Sequence, residues 1–203
     1  MVSNLALLGG HDEALSYLRG LPGEPIVLDL GANVGVFSLM AASANQSARV
    51  FAYEPGLPNV RMIEMNRLIN PNLSDRIVVR TEAVGGQTRI AKFFYSDANP
   101  QASGICYTKG TPSDVQVRAF SEVLDLLPKA VALVKMDIEG AEYEILEGTP
   151  PEVWKRVEVL CVEMHQDPSG RRDISDYLQR MAEQGFTRQV ETSKGSYFLQ
   201  RQS

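Results

Sequence analysis

The sequence predicts an α/β fold: one Rossmann-like domain with a mostly parallel sheet and helices on both of its faces. Three observations carry that expectation. Residues 26–30 (IVLDL) form a short, nearly continuous apolar run, as in a strand covered on both sides. The glycine turn GANVG at 31–35 leads from that run straight into a helical stretch. Apolar runs and helical patterns then alternate along the chain, and such alternation builds right-handed βαβ units and hence a parallel sheet.

The elements follow in order. Residues 12–19 predict a short helix ahead of the Pro22-Gly23 break. After the strand at 26–30, residues 34–44 are small or apolar with no glycine beyond Gly35, the pattern of a buried helix. Residues 49–53 read as the second strand. Residues 57–69 read as a helix with Val60, Ile63 and Leu68 at helical spacing, stopped at Asn70-Pro71. The third strand is 77–79, and 89–95 and 115–118 are additional short strands around a Gly/Pro/Ser-rich excursion at 99–112. A helix at 121–127 ends at Pro128, residues 131–138 are the fourth core strand, 141–147 a helix and 157–164 the fifth strand. Ile174, Tyr177, Leu178 and Met181 mark one face of a helix that stops at Gly185. Residues 186–190 and 196–200 flank a Ser-Lys-Gly turn and read as a closing antiparallel hairpin, giving seven strands in the main sheet. No repeat or low-complexity linker divides the chain. The expectation is one domain over 1–203: a short helical segment (1–24), a core (25–165), and a closing helix and hairpin (166–203).

Composition narrows the partners. With 44% apolar and 22% charged residues, the 203-residue chain is ordinary for a globular protein and long enough to need no disulfide or structural metal. A net charge of −5 argues against a nucleic-acid substrate, because phosphate-tracking surfaces are basic. Cys106 and Cys161 have no neighbours at metal-ligand spacing. No apolar run reaches the ~18 residues of a membrane span, and the first ten residues lack the pattern of a signal peptide. A cytoplasmic protein, monomer or homodimer, is the expectation.

Ligands of such sheets bind beyond the carboxyl ends of the strands, where the strand order reverses. Residues just after each strand are therefore the candidates. After the first strand come Asp29, Gly31, Ala32, Asn33 and Gly35. Gly31 allows a sharp turn and close approach, and Gly35 the same at the helix start, where free N–H groups can receive a polar tail. A dinucleotide loop would read G-x-G-x-x-G. This one is G-x-x-x-G preceded by Asp29, which repels phosphates and suits the ammonium of a methionine moiety. Glu54, followed by Pro55, ends the second strand 23 residues after Gly31, where a carboxylate can accept from both ribose hydroxyls. Glu82 and Ala83, after the third strand, are placed to border an adenine. The pattern points to S-adenosyl-L-methionine. A structural βα turn capped by Asn33, and a solvated Glu54, are the plainer readings of the same residues.

Five motifs then resemble the FkbM family of S-adenosylmethionine-dependent methyltransferases, within the class I methyltransferase superfamily. They are VLDLGANVG (27–35), VFAYEP (50–55) followed by Asn59 and Asn66, EAVG (82–85), LVKMDIEGAE (133–142) and VEMH (162–165). Together they cover most of the chain, and the fourth is close to a signature. The resemblance implies a class I methyltransferase sheet and a reaction that is mostly O-methylation of sugars, polyketides and related metabolites. The acceptor would be a small molecule or glycan. Few residues precede the first strand, so cover for the acceptor would come from 97–112 or from a second subunit.

Methyl transfer needs alignment of acceptor, methyl and sulfur, and a group that weakens the acceptor's proton. In the family resemblance Asp137 lies beside the transferable methyl. Its plainer role is to cap the following helix. Lys135, on the same face of an otherwise apolar strand, requires a partner such as Asp137 or Glu163. Glu163 and His165 end the fifth strand pointing the same way, and His165 has the ordinary pKa of a general base. Asp137, Glu163 and His165 also have the composition of a site for Mg²⁺ or another divalent ion, so both roles stand open. Glu139 and Glu142 favour the helix N-terminus. The leading expectation is a methyltransferase. The alternatives are an NAD(P)-dependent oxidoreductase and a non-catalytic module that binds a cofactor or partner.

Overall fold

The computed structural model describes residues 11–95, 104–106, 110–128, 130–167, 170–171 and 173–202. In chain order its elements are α1 (Asp12–Arg19), β1 (Ile26–Leu30), α2 (Val36–Ala44), β2 (Arg49–Tyr53), α3 (Leu57–Ile69), α4 (Pro71–Ser74), β3 (Ile77–Arg80), β4 (Ala83–Gly85) and β5 (Arg89–Tyr95). There follow β6 (Thr111–Ala119), α5 (Phe120–Asp125), β7 (Val131–Met136), α6 (Glu142–Gly148), α7 (Pro151–Trp154), β8 (Val157–Glu163), α8 (Ile174–Glu183), β9 (Arg188–Ser193) and β10 (Ser196–Gln200).

Seven strands form one sheet in the order β3-β2-β1-β7-β8-β10-β9. All neighbours are parallel except β10, which runs antiparallel to β8 and β9. This is the class I methyltransferase sheet with its terminal hairpin. Every residue of β1 and β7 is buried, which is why both read as nearly continuous apolar runs, interrupted only by Asp29 and Lys135, rather than alternating ones. Alternate residues feed two cores. Leu28 and Val134 face Phe120, Trp154, Tyr177 and Phe186 from α5, α7, α8 and the segment before β9. Val27 and Leu133 face Leu15, Leu18, Phe37 and Ile63 from α1, α2 and α3. Strand order reverses between β1 and β7, so their carboxyl ends diverge into the crevice where a ligand can sit.

Local patterns misjudged several details. Leu68 was expected on the buried side of α3 but is 77% exposed, whereas Ile63 is buried. The inward side of α3 carries Asn59 and Asn66, whose amides donate to Glu54 and to the Val34 carbonyl. Periodicity of apolar residues cannot register a face built on polar contacts. The short helices α4 and α7 both begin at prolines, and Pro71, read from the sequence as the stop of the preceding helix, is the first residue of α4. Proline at a first helical position is tolerated because that N–H has no partner inside the helix. The strands at 89–95 and 115–118 leave the main sheet: β5 and a longer β6 join β4 in a second, three-stranded sheet. The cover expected at 97–112 lies largely outside the described residues, and Pro112 is part of β6, opposite Phe94. Among the described residues no helix is long and apolar enough to cross a membrane.

Candidate active site

The turn after β1 is held from three sides. The N–H groups of Gly31 and Ala32 both donate to the Tyr53 carbonyl at 3.0 Å, tying the turn to the end of β2. Gly31 has φ +74°, and a Cβ there would collide with the Asp137 carbonyl oxygen. The glycine is required by the close approach of the β1 turn to the end of β7. Asn33 also has a positive φ, +51°, and its N–H donates to Glu54 Oε2 at 2.9 Å.

Glu54 is the centre of this arrangement. It is 4% exposed, and its Oε1 accepts from Gly56 N at 2.8 Å and from Asn59 Nδ2 at 3.3 Å. Burial raises its pKa to about 7 even though those three hydrogen bonds pull the other way. A carboxylate offers about four acceptor positions. The protein occupies three of them, so capacity remains for a donor arriving from the crevice.

That crevice is a pocket partly open to solvent. Gly31, Asn33, Glu54, Asp137 and Glu139 form its polar wall, beside Pro55. Ala83, Val84, Phe93, Ile105 and Ile138 are among its apolar lining. The second sheet therefore supplies one side of the pocket, a contribution that spacing along the chain did not reveal. Of the remaining residues expected at a cofactor site, Asp29, Ala32, Gly35 and Glu82 do not line it. Ala32 is buried, and a Cβ on Gly35 would meet Ile63 at 3.2 Å, so Gly35 serves the packing of α2 on α3. Glu82 holds Arg118 through both carboxylate oxygens.

Asp29 lies wholly inside. It sits beside Lys135 in the β1–β7 register, accepts from Ser38 Oγ at 2.6 Å, and has its Oδ1 3.7 Å from Lys135 Nζ. Lys135 in turn donates to the Gly31 carbonyl at 3.0 Å and to Asp137 Oδ2 at 3.2 Å. The partner this buried lysine required is thus Asp137, as expected, joined by Asp29. Burial opposes its charge, but the two carboxylates outweigh it and its pKa is raised. Asp137 is left half-buried at the pocket mouth.

His165 sits among carboxylates. Its Nδ1 is 3.0 Å from Glu142 Oε1, and its Nε2 is 3.4 Å from Glu139 and 3.9 Å from Asp137. Burial lowers the pKa, but Glu142, Glu139 and Asp137 together lift it to about 9. That shift favours the charged ring at neutral pH, held at Nδ1 by Glu142. Glu142 is fully buried and also accepts from Ile138 N and Gly140 N, so it ties the loop after β7 to His165. The sequence reading gave Glu142 a role at the helix end; its burial and three hydrogen-bond partners were not legible there. Glu163 is exposed, and with Asp137 it lines a separate, smaller pocket. Asp137, Glu139 and His165 bring one ligand-type atom each within 4.8 Å of one another, so Glu139 stands where Glu163 was expected. Mg²⁺ prefers an all-oxygen shell, so a set that includes an imidazole does not fit a resident Mg²⁺.

Comparisons with known proteins bear on the family and the fold. The family model of the methyltransferase FkbM domain matches residues 29–188. Methyltransferase sdnD of Sordaria araneosa is 26% identical over 200 residues, covering 83% of this chain and 76% of that protein. The 31-O-demethyl-FK506 methyltransferase FkbM of Streptomyces tacrolimicus is 24% identical, covering 82% and 74%. The AMB antimetabolite synthetase AmbE of Pseudomonas aeruginosa is 25% identical over 79% of this chain, which spans 10% of that protein. In structure, the methyltransferase FkbM from Methylobacillus flagellatus superposes with a TM-score of 0.56 at 18% identity, covering 87% of this chain and 43% of that one. Magnesium protoporphyrin IX methyltransferase from Synechocystis, solved with bound S-adenosylmethionine, gives 0.52 at 16% identity, covering 100% and 86%. The chain belongs to the FkbM methyltransferase domain family.

Proposed function

We propose that this chain is an S-adenosylmethionine-dependent methyltransferase that methylates a hydroxyl group on a small molecule, sugar or related metabolite. The observation that carries the proposal is the Glu54 carboxylate, buried just after β2 and lining a pocket that also has apolar residues and the acidic Asp137 and Glu139. These residues fit the donor part by part. Glu54 accepts from the ribose diol, while Phe93, Ile105, Val84 and Ile138 enclose the adenine. Asp137, Glu139 and the turn at Gly31 and Asn33 face the cationic sulfonium and amino-acid end. When bound, the donor supplies a methyl carbon on a positively charged sulfur, open to displacement by a nucleophilic oxygen. The chain's own residues orient and exclude water. Glu142 and His165 fix the loop carrying Ile138 and Glu139, and Lys135 fixes Asp137 against Gly31. The Streptomyces relative, whose name specifies a demethylated oxygen of its acceptor, supports oxygen as the methylated atom.

Calorimetry with S-adenosylmethionine tests the reading. Saturable binding is expected, weakened ten- to hundredfold in Glu54→Gln, the loss of one or two charge-assisted hydrogen bonds. Absence of binding to the wild-type protein would remove the basis of the proposal. Glu54→Gln is a cleaner test than any change at Gly31, where even a Cβ collides with Asp137.

A further inference from the structure

Two parts of the chain that belong to different sheets wall the main pocket. Asp137, Ile138 and Glu139 stand on the loop after β7, whereas Ala83, Val84 and Phe93 come from the second sheet. The second sheet has a small core of its own, Ala83, Phe93, Val115 and Val117. Its place beside the acidic loop is therefore set by contacts outside it, and α6 makes contacts of both kinds.

Glu142, the first residue of α6, accepts from Ile138 N and Gly140 N and so holds the loop. Glu144, two residues later, holds the sheet. Its Oε1 accepts from Gly86 N at 3.0 Å and from Arg89 Nη1, and its Oε2 accepts from Arg89 Nη2 at 3.0 Å. Gly86 follows β4 and Arg89 begins β5, so one carboxylate grips the turn between the strands that carry Val84 and Phe93. Arg89 also donates to the Gln87 carbonyl at 3.3 Å inside that turn. The backbones press together as well. A Cβ on Gly86 would collide with the Glu144 carbonyl, and one on Gly148 with the Gly86 carbonyl. The side chains of Arg89 and Glu144 are 37% and 31% exposed, and a pair that accessible adds little to global stability. What it adds is geometry, because two parallel N–H···O bonds fix the angle between guanidinium and carboxylate. Phe120, Val123 and Leu124 of α5, which continues directly from β6, give the sheet a separate, apolar attachment to the main core.

Resting on the methyltransferase reading above, we propose that Glu144 is a positioning residue for the donor: with Arg89 and Gly86 it fixes the apolar wall at the spacing from the acidic loop that S-adenosylmethionine requires. Helix α6 then carries both walls as one piece, through Glu142 for the loop and Glu144 for the sheet. Neither Glu144 nor Arg89 lines the pocket, so both act through Val84 and Phe93. The nucleoside end of the donor, which that sheet encloses, is the part whose binding depends on the pair.

The test compares wild type with Glu144→Gln, Arg89→Gln, the double variant and Arg89→Lys. Calorimetry is run with S-adenosylmethionine and with methylthioadenosine, which keeps the nucleoside and lacks the amino-acid tail. Each single glutamine variant should weaken both ligands by the same factor, about five- to twentyfold. The double variant should bind no more weakly than either single, because the two groups act as one pair. Arg89→Lys keeps the charge but loses the paired bonds, and should fall between wild type and Arg89→Gln. Hydrogen exchange should quicken in β5 and stay unchanged in β1 and β7, with little change in melting temperature. If the wild type itself fails to bind S-adenosylmethionine, the methyltransferase reading falls and not merely this inference. Wild-type affinity in both single variants, or additive losses in the double, overturns the positioning role. A loss confined to S-adenosylmethionine overturns it too, since the effect would then lie at the amino-acid tail. Weaker binding with faster exchange throughout β1 and β7 does the same, as general loosening of the fold.

Discussion

Glu54 is satisfied by hydrogen bonds from Asn33, Gly56 and Asn59, and its burial leaves it half-protonated near pH 7. Ribose hydroxyls donate best to the ionised form, so donor affinity should depend on pH. Between pH 8 and pH 6 the ionised fraction falls about tenfold, and the Kd for S-adenosylmethionine should rise by about that factor. Calorimetry at both pH values checks this, and Glu54→Gln should abolish the dependence. His165 makes a separate prediction about stability. Its folded pKa is raised from 6.5 to about 9, so its contribution is complete below pH 6.5 and is lost as pH rises through 9. Thermal melts should show wild type losing up to about 3 kcal/mol over that window. His165→Gln should lack this loss; an identical decline in the variant would place its cause elsewhere. Glu54 was legible in the sequence because a strand end and a glycine turn fix its place within a few residues. Protonation was not, because it is set by partners such as Glu142 and His165, brought together only by folding.

The turn between β1 and α2 shows how one element constrains another. Gly31 must bring its backbone against Asp137, in a conformation that side-chain-bearing residues rarely adopt. Gly31→Ala should destabilise the protein by about 3 kcal/mol or more, through both strain and overlap. Urea unfolding measures it. On α3 the opposite holds: Leu68 is mostly exposed, and Leu68→Lys should stay within about 0.5 kcal/mol of wild type. A large loss there would mean that a partner covers this face. The helix itself was legible from its apolar spacing and its stop at Asn70-Pro71. Its inward face was not, because Asn59 and Asn66 turn inward to serve Glu54 and Val34.

Across the whole molecule, the main sheet is packed on both faces, while the β4-β6-β5 sheet rests on a small cluster of Ala83, Phe93, Val115 and Val117. Fewer buried contacts imply easier local opening. Hydrogen exchange should therefore be faster in β5 and β6 than in β1 and β7, and S-adenosylmethionine should slow it most around Ala83, Val84 and Phe93. Uniform protection, or none in this sheet, would detach it from the donor pocket. The sequence by itself determined the strand–helix alternation, the glycine turn, the acid that follows the second strand and the closing hairpin. Each is encoded by hydrophobic spacing and backbone geometry over a few residues. Tertiary structure alone decided that β5 and β6 leave the main sheet to wall the pocket, that Glu142 is a buried anchor, and that His165 sits among three carboxylates. Those properties arise from burial and from charges distant along the chain, which local spacing does not encode.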